Sequence, residues 1–530
     1  MLRDPPSAQI SHNTFGPSSY VGAHTLLAHD AVAEPAIETS VLSRTAPQIE
    51  PLLQCVEATI LPKPPLLAAL TEAYFANVFD RYPVTDRREF DDPTCSVLLK
   101  QAVCMAGSLT RHSSRGDGLA LSRRLYEKTK LMLSLNYDPN PVTVLAALCL
   151  MICWSPNPTD LLSLDCPWQW TGTAIRMALQ MGLHKESTYL KHSQPGRLRR
   201  LWWILMNADR LQAACFGRPL AVRYSDCDTR LPNVADFENP DSASSVFIQY
   251  AGLTSIWGEI ADIGISGRSA STADLQRLTD SVYTWIAALP EEVRLFTATG
   301  LRRPYRQSVS ELHMVYFVTI ILLEAVRLQN HHRWSSSVPS IIAASSVARL
   351  IEEVDCWEDL NLMSSSTTFY MMAASIPLIY HRPNQAGKIM VRNEELQILC
   401  STLDRLESKW GGAPVVRKNI EKIRNMVEWQ TLEHQSENQE PSTIGAAGAS
   451  TLLPRLAEIF PFPQSLCSNM DLVNDNVERQ LDSETFLPSF EEDNLPWLGP
   501  ETQSYLDFFR LDSYDDPPIV DSETFALIDN

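Results

Sequence analysis

A chain of 530 residues with 45% apolar side chains has enough material for a large buried core, yet 63 acidic residues outnumber 44 basic ones for a net charge of −19. Residues 471–530 hold 16 acidic and 2 basic side chains, a net of −14, which leaves only −5 for residues 1–470. This distribution excludes a basic nucleic-acid-binding arm of the usual kind, while a nearly neutral body neither demands nor forbids contact with DNA.

Taken in order, residues 1–60 are rich in Pro, Ser, Ala and His and lack periodicity, which predicts a disordered N-terminal arm. A helical body begins where Leu66, Leu70, Tyr74 and Val78 recur every fourth residue, with Leu67 and Phe75 beside them. Helical patterns follow over 96–109, 119–135 and 142–154, then over 247–265, 275–289, 311–329, 340–357, 369–380 and 394–410. Glycine is scarce, and alternating strand patterns bounded by Asn-Gly or Asp-Gly turns are hard to find, so the body at 61–432 is predicted to be all-α. Residues 433–470 read as a linker and 471–530 as an acidic tail.

The densest stretch is 165–232. Asp165 and Pro167 suit a helix start, by side-chain capping and a preset φ, and Trp170, Ala174, Ala178 and Gly182 recur at i+4 behind them. A second helix carries Leu198, Trp202, Leu205, Asp209 and Gln212 at helical spacing, and Gly217 followed by Pro219 stops it. Asp209 therefore falls on a buried face, where an unpaired carboxylate costs several kcal/mol, and Arg176, Arg210 and Arg218 are its candidate partners. Trp202 and Trp203 read as core and interface filler. Arg176, His184, Asp209 and Arg218 either line an effector pocket or form a polar network bracing two helices and a turn.

Ala174 to His184 spell Ala-Ile-Arg-x-Ala-x-x-x-Gly-Leu-His. They are followed by Arg199-Arg200-x-Trp202-Trp203 running to Asp209-Arg210, by Gly217-Arg218-Pro219, and by Leu231-Pro232. In this order the submotifs resemble the middle homology region of fungal zinc-cluster transcription factors, the regulatory domain of xylanolytic-activator-like regulators. The turn Tyr82-Pro83-Val84-Thr85-Asp86 resembles the opening of the same domain, and Ser18-Ser19-Tyr20-Val21-Gly22 resembles a linker that precedes it.

The resemblance implies a nuclear regulator of metabolic genes, such as a catabolic set or a secondary-metabolite cluster, acting on promoter DNA directly or through a partner factor. A homo- or heterodimer and transcriptional coactivators are the implied partners, and no membrane. The family's zinc cluster needs six thiolates in two Cys-x2-Cys halves, and none of the 11 cysteines is so spaced. Cys149 and Cys153, one helical turn apart, read as core thiols. No cofactor is therefore expected, zinc entering only with a six-cysteine segment upstream of Met1; the alternative is a co-regulator that heterodimerises with a zinc-cluster factor without binding DNA.

In the tail, Phe490, Trp497, Phe508 and Phe509 alternate with carboxylates, the composition of an activation segment. His331-His332 beside Arg333 lack a third metal ligand. An enzyme is not expected. Asp91-Asp92-Pro93-Thr94-Cys95 lacks the distal acid of a metal-binding cyclase motif, and no phosphate loop, nucleophile elbow or His-Glu-x-x-His helix occurs. The first thirty residues do not read as a secretory signal, and the apolar runs at 142–154 and 314–323 are shorter than the roughly 20 residues of a membrane span, so a soluble intracellular chain is expected.

Overall fold

A computed structural model describes Tyr20 and residues 46–111, 118–159, 161–329, 336–383, 385–436 and 455–467. Among these residues there are seventeen α-helices and no strand, one isolated antiparallel bridge joining Phe296 to Arg302. The acidic tail, with Phe490, Trp497, Phe508 and Phe509, lies outside the described residues, as do His331 and His332.

The helices start where local chemistry says they should. Proline occupies the first turn of Pro64–Asn77, Pro141–Met151, Pro167–Gln180 and Pro195–Phe216, where its missing N–H costs nothing. Asn140 caps Pro141–Met151, accepting from the amides of Val142 and Thr143. Asp241, Ser271 and Ser337 build capping boxes at the starts of Ser242–Ile265, Thr272–Ala287 and Val338–Cys356.

A first group, Pro64–Asn77, Val97–Ser108, Ala120–Ser134 and Pro141–Met151, packs around Val97–Ser108. A Cβ on Gly107 would stand 2.1 Å from the carbonyl oxygen of Leu70, so a glycine is what lets two of these helices approach so closely. Pro141–Met151 passes the packing on to Pro167–Gln180 and Pro195–Phe216. From there the contacts run through Ser242–Ile265 to Gln307–Gln329, Val338–Cys356, Thr367–Tyr380 and Gly412–Ser436. One contiguous core results, from Leu53 to Cys467. Within it Gln307–Arg327 is long and apolar enough to cross a membrane, longer than the run at 314–323 suggests, and it is wholly enclosed by other helices.

Three boundaries differ from the sequence reading. The body starts earlier than residue 61, since Ala46–Cys55 is helical and Leu53 and Ala58 are buried. Gly412–Ser436 is a helix absent from the periodic segments above, although Val416, Ile420, Ile423 and Val427 form its buried stripe. Residues 455–467, assigned to the linker, dock on the body: Leu456, Ile459, Phe460, Leu466 and Cys467 are buried, and the Tyr316 hydroxyl donates to the Ile459 carbonyl at 2.6 Å.

Candidate functional site

The motif stretch folds as two helices and a returning loop. Pro195–Phe216 is buried along almost its whole length; Trp202 is completely enclosed, and the Trp203 indole donates to the Arg230 carbonyl at 2.7 Å. Gly217 ends this helix in the left-handed conformation, with φ of 61°, its amide closing on the Ala213 carbonyl. After Arg218 and Pro219 the chain turns back, bringing the amides of Ala221 and Val222 onto the Asp209 carboxylate. Asp209 is 8% exposed, as its helix face implies, but its hydrogen bonds come from these backbone amides; of the three candidate arginines only Arg210 acts on it, and through charge alone. Burial raises its pKa and the two amides pull it back.

Each motif arginine has another task. Arg210 donates to Ser255 at 2.9 Å and lies over the rings of Trp203 and Tyr224. Arg199 pairs with Asp236 at 2.6 Å and with Glu186, while Arg200, 1% exposed, donates to the Pro83 carbonyl, the Asp236 carbonyl and Asp86. These two guanidiniums tie the Tyr-Pro turn, the double-tryptophan helix and the segment after Leu231-Pro232 into one unit, a role the sequence reading did not assign. Two adjacent arginines inside a buried helix were the available signal.

Asp165 does not cap the first motif helix. Cys166 holds the N-cap position without a side-chain bond, and Asp165 instead accepts from the Tyr126 hydroxyl at 3.0 Å and from Lys130 at 2.7 Å.

A cavity of about 600 Å3 opens beside Pro195–Phe216, within the range of small-molecule sites. Ile204, Ala208, Leu211 and Phe216 supply one wall, residues from 155–159 and 161–166 with the first turn of Pro167–Gln180 a second, and Ser364, Ser365, Ser366 and Thr368 a third. Its inner end meets Arg81, Tyr82 and Tyr250, which lie deep in the protein yet retain accessible surface because the cavity reaches them. Arg81 donates to Glu311 at 2.5 Å and to the Leu362 carbonyl at 3.3 Å. Burial pushes the neighbouring Asp80 carboxyl up to about 6, against the pull of Arg81 and with the push of Glu311. Asn207, 4% exposed, borders the cavity; its Oδ1 accepts from Thr254 at 2.6 Å, and its Nδ2 has no acceptor in the protein.

Of the four residues considered for an effector pocket, the structure brings Arg218 alone to this cavity. Arg176 is exposed on its helix. His184 packs edge-on against Tyr20, ring centroids 4.8 Å apart, while the Tyr20 amide donates to the Gln180 carbonyl at 2.7 Å. Partial burial holds the His184 imidazole below its ordinary pKa. Cys149 and Cys153 are core thiols pushed upward by burial, Cys153 up to about 12. No group of three or more potential metal ligands occurs among the described residues, so they do not fit a zinc cluster.

Residues 71–286 match the fungal specific transcription factor domain. Curated relatives include cutinase transcription factor 1 alpha of Fusarium vanettenii, 24% identical over 390 residues covering 67% of this chain and 42% of the relative. The acetamidase regulatory protein of Aspergillus fumigatus is 27% identical over 284 residues, 51% of this chain and 36% of its own. The Zn(2)-C6 fungal-type transcription factor pigI of Monascus ruber is 24% identical over 190 residues, 32% of this chain and 22% of its own. The chain thus spans well under half the length of these relatives. No solved structure matches.

Proposed function

We propose that the chain is a fungal transcriptional regulator that controls a set of metabolic genes through a signal-receiving helical body, a reading supported by the domain match at residues 71–286 and by distant homology to zinc-cluster regulators. The observation that carries the second half of this reading is the 600 Å3 cavity built against the motif helix Pro195–Phe216. A regulator needs a place where a small molecule can bias its conformation, and a deep cavity with an apolar wall facing a hydroxyl-lined one has that character. The names of two relatives attach them to a cutinase and an acetamidase, which supports a metabolic gene set.

The acidic tail recruits coactivators. Its like charges keep Phe490, Trp497, Phe508 and Phe509 available to a partner groove. The body works in the nucleus, reaching promoters directly or through a partner factor with which it dimerises.

Chromatin occupancy of the tagged chain in its own cells tests the proposal. Discrete promoter peaks are expected at genes whose transcripts change when the gene is deleted. A nuclear protein with a flat profile would instead favour a co-regulator that titrates a zinc-cluster factor.

A further inference from the structure

The two ends of the cavity differ in charge. At the inner end Arg81 is already committed to Glu311 at 2.5 Å, with Asp80 close by, and so presents no free cation. An anion there would have to displace a buried carboxylate from its guanidinium and leave that carboxylate unpaired.

The mouth is the reverse. Arg218 is half-buried with its guanidinium 5.0 Å from the Trp168 ring and 4.8 Å from the Phe216 ring, and among the described residues no carboxylate pairs with it. Asp165 also borders the cavity, but Lys130 and Tyr126 hold it. On the same cavity Leu161, Leu162 and Leu164 are 55%, 96% and 80% exposed, an apolar rim held in water at a free-energy cost. Ile204, Ala208 and Leu211 of Pro195–Phe216 add an apolar wall to the same cavity. An occupant that relieves these features has an apolar body and one anionic end placed at the mouth.

We propose that the cavity binds an apolar monocarboxylate, its carboxylate held at the mouth by Arg218 and its apolar body lying between the Leu161–Leu164 rim and the Ile204, Ala208, Leu211 wall. The Trp168 and Phe216 rings lie within cation–π reach of the guanidinium, whose fork of N–H donors suits a carboxylate. This inference deepens the reading of the body as a signal-receiving module and rests on it for its biological meaning.

The test titrates the purified full chain with dodecanoate and with its neutral counterpart dodecan-1-ol, by calorimetry, against Arg218→Gln, Arg218→Lys and Ala208→Phe. Circular dichroism checks that each variant is folded. Dodecanoate should bind the parent, Arg218→Gln should weaken it by about ten-fold or more while leaving the alcohol unchanged, and Arg218→Lys should restore part of the loss. Ala208→Phe should fill the cavity and abolish both; if it does not fold, Leu211→Phe takes its place. An alcohol that binds as tightly as the carboxylate, with Arg218→Gln affecting neither, would overturn the proposal. So would a folded parent that binds no dodecanoate. Intact promoter occupancy beside absent binding would remove the ligand assignment alone, whereas carboxylate binding with a flat chromatin profile would remove the regulator reading alone.

Discussion

Asp209 and Ala221 lie twelve residues apart, and one backbone N–H of the second reaches both carboxylate oxygens of the first, at 3.1 and 3.0 Å. The pair anchors the loop that follows Gly217-Arg218-Pro219 to the double-tryptophan helix. Asp209→Ala should lower unfolding free energy by about 2–3 kcal/mol, because it orphans two amides that a charged acceptor satisfies. Asp209→Asn keeps an acceptor without the cost of burying charge and should lose less. Urea unfolding of both variants decides, and equal losses would show that shape matters here more than acceptor chemistry.

Arg200 offers a sharper case. Its fork serves the Pro83 carbonyl at 2.9 Å, the Asp236 carbonyl at 2.5 Å and Asp86 at 2.7 Å. Arg200→Met should cost about 3–5 kcal/mol, the usual loss when one member of a buried charged network is removed. Arg200→Lys should recover little, since a single ammonium cannot reach three acceptors in the guanidinium plane. A lysine variant with parental melting temperature would show that charge alone suffices.

Lys409 should make stability depend on pH. Burial lowers its pKa to about 7, with Arg81 acting in the same direction and Glu311 opposing. Between that value and the ordinary 10.5 the unfolded chain carries a proton that the folded one lacks, so this group makes stability rise with pH across the window, its penalty being full below 7. Lys409→Met keeps an apolar stem beside Trp410, whose ring lies 4.4 Å from the ammonium, and removes the titration. The slope of unfolding free energy against pH should flatten over 7 to 10.5; an unchanged slope would mean that the amine reaches water.

The tail can be tested apart from the body. Residues 471–530 fused to an unrelated DNA-binding domain should activate a reporter, and replacing Trp497, Phe508 and Phe509 by Ala should weaken it several-fold. A silent fusion would remove the activation assignment.

The helices were legible because apolar spacing is a local property: Pro64–Asn77, Val97–Ser108 and Ser242–Ile265 match their periodic segments to within a few residues at the C-terminal ends, and the starts shift by capping chemistry. The burial of Asp209 was legible for the same reason, whereas its partner was not. A backbone amide has no side-chain signature, so the search turned to arginines. The cavity was hidden because its walls come from the segments flanking the start of Pro167–Gln180, from Pro195–Phe216 and from residues 364–369, which sequence periodicity cannot bring together. The docking of 455–467 went unread because its apolar residues, Leu456, Ile459, Phe460, Phe462 and Leu466, form too short a run to show a helical period and adjoin a stretch of linker-like composition.

Tyr316 holding Ile459, with Phe460 stacked on Phe317, fixes residues 455–467 on the body by contacts of their own, apart from their covalent link to Gly412–Ser436. Continuity of the polypeptide and attachment of the tail are therefore separate properties. A protease cut between residues 437 and 454 would divide the chain into two pieces that still travel together, as a complemented pair, until the aromatic clasp opens. On a denaturing gel such a molecule would look broken, and on a sizing column it would look whole.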